Sequence, residues 1–205
     1  SRAEAGLPAT GFVFCNFNQS YKLTPEVFAS WMQILRRVEG SVLWLLEGPA
    51  PYADNIARHA RDHGVAPERI LFAPDRPTDQ HLARLQLADL FLDGLPYNAH
   101  TTGSDALWAG VPLLTRRGTA FPGRVAASLL YAAGLPELVT ESPQAYEDMA
   151  ARLGSDPQAF QQIKSRLTRN CPLFDTDLLR RNIEAAYVRM WEMWLRGERP
   201  RTFSV

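Results

Sequence analysis

The feature that most constrains the fold of this chain is an alternation, sustained from residue 11 to about residue 140, of short apolar runs with longer stretches whose apolar side chains recur at helical spacing. The runs are GFVFCNF (11–17), SVLWLL (41–46), RILF (69–72), LFL (90–92) and PLLT (112–115), with a short sixth near Leu138-Val139. Their apolar cores show no polar alternation, as expected of strands covered on both faces. Between them, residues 25–38 carry Val27, Phe28, Trp31, Ile34, Leu35 and Val38 on one helical face. Residues 54–63 read as a helix stopped by Gly64, 79–87 as a short helix, 104–109 as one ended by Gly110, and 123–133 as another. Parallel neighbours need crossover connections, so strand-helix alternation with short loops predicts an α/β, doubly wound parallel sheet of Rossmann-like type.

The expected organisation is a linker over 1–10, a Rossmann-like domain over 11–142, helices over 143–197 packing on the same domain, and a tail over 198–205. The C-terminal helices are expected at 143–153, 157–169 and 177–195. On the last of them Trp191 and Trp194 read as core or lobe-packing residues. The polar start hints at a chain cut from something longer.

Charge excludes some classes of partner. The 22 basic residues balance 22 acidic ones, so no polyanion such as nucleic acid is expected to bind. No run is long and apolar enough for a membrane span or a signal peptide, and the two cysteines, Cys15 and Cys171, fit neither a metal motif nor a disulfide framework. A cytoplasmic protein with two reduced thiols and no metal site is the expectation.

In an open parallel sheet, ligands bind beyond the carboxyl ends of the strands. Those loops carry the polar chemistry: Asn18, Gln19, Tyr21 and Lys22 after the first strand; Asp75, Arg76, Thr78 and His81 after the third; Tyr97, Asn98 and His100 to Asp105 after the fourth; Arg116, Arg117 and Arg124 after the fifth. His100-Thr101-Thr102-Gly103-Ser104-Asp105 opens a helix, where free N–H groups and the positive end of the helix dipole suit a phosphate. Thr101 and Thr102 could add hydroxyl donors, Gly103 could admit a ligand close to the backbone, and Asp105 could accept from a ribose diol. Taken alone, the same six residues would be an ordinary helix cap, Lys22 a solvated lysine and His81 a surface histidine. Their convergence on one sheet edge favours a nucleotide site. Asp93 reads as a turn former with Gly94. Dinucleotide, P-loop and hydrolase-elbow motifs are absent, which removes the main support for dehydrogenase, NTPase or α/β-hydrolase readings.

The runs CNFNQSYKL, SVLWLLEGP, RILFAP, QLADLFLD, NAHTTGSDALWAGVPLLT, GRVAASLL, AYEDMAARLG and YVRMWE resemble the C-terminal half of the catalytic region of O-GlcNAc transferases, protein N-acetylglucosaminyltransferases of GT-B fold. That resemblance implies the donor-binding lobe of an inverting, metal-independent enzyme that uses UDP-GlcNAc as substrate without a cofactor. It implies that Gln19, Lys22, Thr101 and Thr102 meet the diphosphate, with Lys22 stabilising the leaving group. It further implies that His81 packs on uridine, Arg84 lies beside the uracil pocket, Asp105 binds ribose, and Tyr21, Tyr97 and His100 line the sugar-diphosphate region. Thr78 stands where the family usually has a ribose-binding lysine, a place Arg76 could share. An N-terminal lobe, tetratricopeptide repeats and protein acceptors are the implied partners. The alternatives are a UDP-sugar 2-epimerase of similar fold and a non-catalytic UDP-sugar-binding module.

Overall fold

The computed structural model describes residues 1–205. Six parallel strands form one sheet in the order β3-β2-β1-β4-β5-β6: β1 Val13–Asn16, β2 Val42–Leu46, β3 Ile70–Ala73, β4 Leu90–Leu92, β5 Leu113–Arg116 and β6 Val139–Thr140. The doubly wound α/β expectation holds. In the central register Cys15 of β1 lies beside Trp44 on one side and Phe91 on the other, and all three are buried. Burial pushes the Cys15 thiol pKa far up, so it acts as a small apolar core residue.

Each crossover helix buries one stripe. Helix α1 (Pro25–Arg37) places Val27, Phe28, Trp31, Met32, Ile34 and Leu35 inside, each burial contributing roughly 1.5–3 kcal/mol before entropic costs. Thr24 starts it by accepting from Val27 N–H, and Pro25 fits the first turn because its missing N–H would have no intrahelical acceptor. Helices α2 (Tyr52–Asp62), α3 (Thr78–Leu85), α4 (Thr101–Trp108) and α5 (Val125–Ala132) complete the alternation. Helix α4 begins three residues earlier than the 104–109 expectation, because its first backbone bond runs from Ser104 N–H to His100 O. It ends at Gly110, whose φ of +83° closes the last turn in a conformation that favours glycine.

Two compact units are distinguished, Ser1–Thr168 and Arg169–Val205. The first includes α6 (Pro143–Ser155), capped by Ser142, and α7 (Pro157–Arg166), capped by Asp156. It also includes residues 1–10, where Leu7 is buried and Arg2 donates to Leu87 O, Gly11 O and the Asp89 carboxylate. The second contains α8 (Thr176–Leu195), capped by Asp175. Within α8 only Met193 is buried; Trp191 and Trp194 are 58% and 65% exposed and stack on each other with centroids 4.9 Å apart. Of the two roles expected for these tryptophans, core or lobe-packing, the first is corrected, since both side chains lie exposed in this chain. No helix is long and apolar enough to cross a membrane.

Candidate functional site

The strand order changes direction between β1 and β4. A crevice opens at such a switch point. The loop after β1 forms a helical turn, Ser20–Lys22, preceded by Gln19; the loop after β4 runs from Asp93 to His100 and delivers the start of α4. One cavity there is lined by residues of both loops, including Asn16, Asn18, Gln19, Lys22, Gly94 and Tyr97.

The phosphate-like end is built around α4. His100 occupies the N-cap position without a side-chain cap bond, so Thr101, Thr102 and Gly103 present first-turn N–H groups that have no intrahelical acceptor. The Lys22 ammonium lies 4.1 Å from the centroid of the Tyr97 ring, which stacks on the His100 imidazole at 4.7 Å and 24°. Partial burial lowers the Lys22 pKa, and the Asp93 carboxylate partly offsets this. Gln19 is exposed beside Lys22, and Tyr21, at 81% exposure, reaches into solvent.

Two details of the turn differ from expectation. Gly103 is buried, and a Cβ there would meet Leu129 Cδ1 at 3.2 Å and Ala99 Cβ and Leu113 Cδ1 at 3.3 Å. Its missing side chain lets α4 sit close to the sheet; it does not admit a ligand. The Thr102 hydroxyl donates to Asn18 Oδ1 at 2.6 Å, so that proton is engaged within the protein, while the backbone N–H faces outward from the turn unused by the helix.

The base-like end lies on α3. His81 and Arg84 share one face: the Arg84 guanidinium donates to His81 Nδ1 and to Pro74 O. Arginine only donates, so His81 carries its proton on Nε2. Burial, then the neighbouring Arg84 charge, lowers the His81 pKa despite Asp105 and Asp75, keeping the imidazole neutral at neutral pH. The ring stands edge-on to Phe17, 5.2 Å between centroids, and the Arg84 guanidinium lies 5.1 Å from the same ring. Asp105, one turn into α4, is half-buried; burial raises its pKa and His81 counteracts this. Asp105 of α4 thus bears on His81 of α3. Thr78 is the first residue of α3 and is exposed together with Arg76.

Sequence reasoning passed over a polar lattice beneath these groups. Asn16 donates to Leu92 O at 2.7 Å and accepts from Asn18 N–H at 3.0 Å, linking the end of β4 to the loop that holds Thr102. Asp93 is 2% exposed, accepts from Ala99 N–H and from the Thr115 hydroxyl at 2.6 Å each, and its carbonyl accepts from Tyr146 at 2.8 Å. Asn98 is fully buried, with its N–H on Pro122 O and its amide on Gly94 O. The available signal was a polar residue ending or following an otherwise apolar strand.

Comparison with known proteins gives this arrangement its place. The model of Glycosyl transferase family 41 matches residues 1–183. The chain is 40% identical over 210 residues to SEC of Arabidopsis thaliana, described as a probable UDP-N-acetylglucosamine–peptide N-acetylglucosaminyltransferase, covering all of this chain and 21% of that protein. It is 38% identical over 200 residues to the UDP-N-acetylglucosamine–peptide N-acetylglucosaminyltransferase of Caenorhabditis elegans, covering 96% of this chain and 17% of the relative. The chain thus spans about a fifth of the length of these curated relatives. A mutant O-GlcNAc transferase of Thermobaculum terrenum superposes with a TM-score of 0.80 at 34% identity, over 90% of this chain and 37% of that one. With the family model matching most of its length, this chain belongs to glycosyl transferase family 41.

Proposed function

We propose that this chain is the donor-binding half of an enzyme that transfers N-acetylglucosamine from UDP-GlcNAc to serine or threonine hydroxyls of proteins. The observation that carries the reading is the chain of contacts at the switch point of the sheet from Lys22 to the Tyr97 ring to His100, the uncapped start of α4, in a chain of this family. The relatives' names as peptide N-acetylglucosaminyltransferases support transfer over epimerisation or simple binding.

In the proposed reaction the acceptor oxygen attacks the anomeric carbon from the face opposite UDP. The carbon–oxygen bond to the β-phosphate breaks, and its electron pair stays on that oxygen. The hydroxyl proton passes to a group outside this chain. Inversion follows from this single displacement. Charge grows on the diphosphate, where the Lys22 ammonium and the N–H groups of Thr101 and Thr102 stabilise it, a role that requires no metal ion in this reading. Gln19 donates to the same diphosphate, and Tyr21, Tyr97 and His100 border the sugar. Neutral His81 packs on the uracil with Arg84 beside it, and Asp105 accepts from the ribose. No cofactor is needed beyond the donor substrate. A second catalytic lobe, tetratricopeptide repeats and the acceptor proteins are the partners, and the cytoplasm is the proposed location.

The test incubates the whole enzyme with UDP-GlcNAc and a serine-containing peptide. Release of UDP with formation of GlcNAc-peptide supports the proposal. Conversion of UDP-GlcNAc without acceptor would identify an epimerase, and binding without either reaction would reduce the chain to a binding module.

A further inference from the structure

A fully buried carboxylate at the hinge of this site has no part in donor contact. Asp93 follows β4, and its side chain points back into the protein, where Oδ1 accepts from Ala99 N–H and Oδ2 from the Thr115 hydroxyl, each at 2.6 Å. Ala99 immediately precedes His100, so one carboxylate oxygen sets where α4 begins. The other ties that point to β5. The Asp93 carbonyl accepts from Tyr146 of α6, and the Tyr146 oxygen accepts from the Trp31 indole of α1 at 3.1 Å. Burying a carboxylate is costly, and a neutral residue would close a turn as well. Its charge therefore calls for a function, and the loop it anchors carries Tyr97, whose ring centroid lies 4.1 Å from the Lys22 ammonium.

We propose that Asp93 is a positioning residue for glycosyl transfer: its carboxylate fixes the loop from Gly94 to His100, whose Tyr97 ring meets the Lys22 ammonium. The proposal rests on the donor-site reading given above. Two charge-assisted bonds keep the peptide before α4 from shifting, so the start of α4 and the Tyr97 ring beneath Lys22 hold their places. Burial raises the Asp93 pKa to about 7, against the pull of Thr115, Ala99 and Lys22. The other groups around it are Arg116 at the end of β5, Tyr146 on α6 and Glu26 on α1, which with Asp93 line a cavity of about 150 Å³. Asp93 therefore ionises near neutral pH.

The test compares wild type, Asp93→Asn and Thr115→Val in the whole enzyme from about pH 5.5 to about pH 9. Asn keeps the shape and an acceptor for Ala99 N–H but removes the charge. The expected result is a turnover about tenfold lower in Asp93→Asn, a donor KM changed less than about threefold, and loss of the wild-type acid limb near pH 7. Thr115→Val removes a bond to the charged carboxylate, so it should move that limb to higher pH.

Stability separates positioning from scaffolding. A carboxyl group whose folded pKa is raised destabilises the fold as pH rises through that value, so Asp93→Asn should melt no lower than wild type at about pH 8. A separate readout needs no turnover. Lys22 and Lys164 are the chain's two lysines, so competitive amine labelling can use Lys164 as internal reference. Lys22 should become more reactive in Asp93→Asn as its pKa falls. Turnover and Lys22 reactivity both matching wild type would overturn the proposal, as would a large drop in melting temperature with parallel loss of KM and turnover. Failure of the wild-type enzyme to transfer GlcNAc would sink the functional reading instead, while the Lys22 labelling still reports on Asp93.

Discussion

The β1–β4 edge of the sheet and helix α8 invert one another's surface logic. At the edge, Asp93, Asn16 and Asn98 are buried, with Asp93 and Asn16 bonded through both side-chain polar atoms, while Lys22, His81 and Thr102 stand half-exposed above them. Along α8, Leu179, Tyr187, Trp191, Trp194 and Leu195 are each more than half exposed. Buried polar groups that are paired hold their geometry, so the bonds of Asp93 and Asn16 stiffen the edge beneath the proposed donor site. Exposed apolar side chains on a helix ask little of the chain that carries them. Substitutions at the edge should therefore be costly to function or stability, and substitutions on α8 should cost this chain little.

The largest effect is expected at Lys22. Lys22→Ala in the whole enzyme should lower turnover by about 100-fold or more with a much smaller change in donor KM, because the charge it meets grows in the transition state. Steady-state kinetics check this, and near-normal turnover would remove Lys22 from the leaving-group role. Next comes packing beneath the turn. Gly103→Leu must displace Leu129, Ala99 and Leu113, and should destabilise by about 1–3 kcal/mol in denaturant unfolding. A neutral outcome would mean that α4 can lift from the sheet.

The direct comparison pairs Thr102→Val with Trp194→Gln. Thr102→Val breaks the bond to Asn18 and should cost about 1 kcal/mol, while Trp194→Gln should stay within about 0.5 kcal/mol in this chain. Equal costs would erase the contrast between the two regions. The smallest effect concerns His81, whose folded pKa is depressed by burial and by Arg84. A depressed pKa contributes stability above the unfolded value of about 6.5, and that contribution fades as pH falls through the folded value. His81→Gln should therefore lose its stability deficit relative to wild type on acidification, followed by thermal melts; a deficit that grows with acidity would reverse the assignment.

Five of the six strands were legible because a doubly covered strand leaves an unbroken apolar run, and the crossovers because each helix shows a stripe. The short β6, Val139–Thr140, carries almost no pattern in its two residues, and like β3 and β5 it lies one residue beyond its expected position. The start of α4 was misplaced because Thr, Thr and Ser all suit a helix cap, and only the bond from Ser104 to His100 shows where the helix begins. Polar residues on loops could be assembled into one edge, since strand ends in a parallel sheet face the same way. Asp93, Asn16 and Asn98 could not, because a buried polar network is defined by tertiary distances, not by spacing. The stripe on α8 announced an apolar face but not whether anything in the chain covers it.

The central claim is that the loops after β1, β3 and β4 form one UDP-sugar site. A crystal structure of the whole enzyme with UDP tests it most directly. The account predicts the diphosphate on the N–H groups of Thr101 and Thr102 with the Lys22 ammonium against it, the uracil on His81 and the ribose hydroxyls on Asp105. UDP bound with its phosphates away from α4, or outside the β1–β4 switch point, would contradict it.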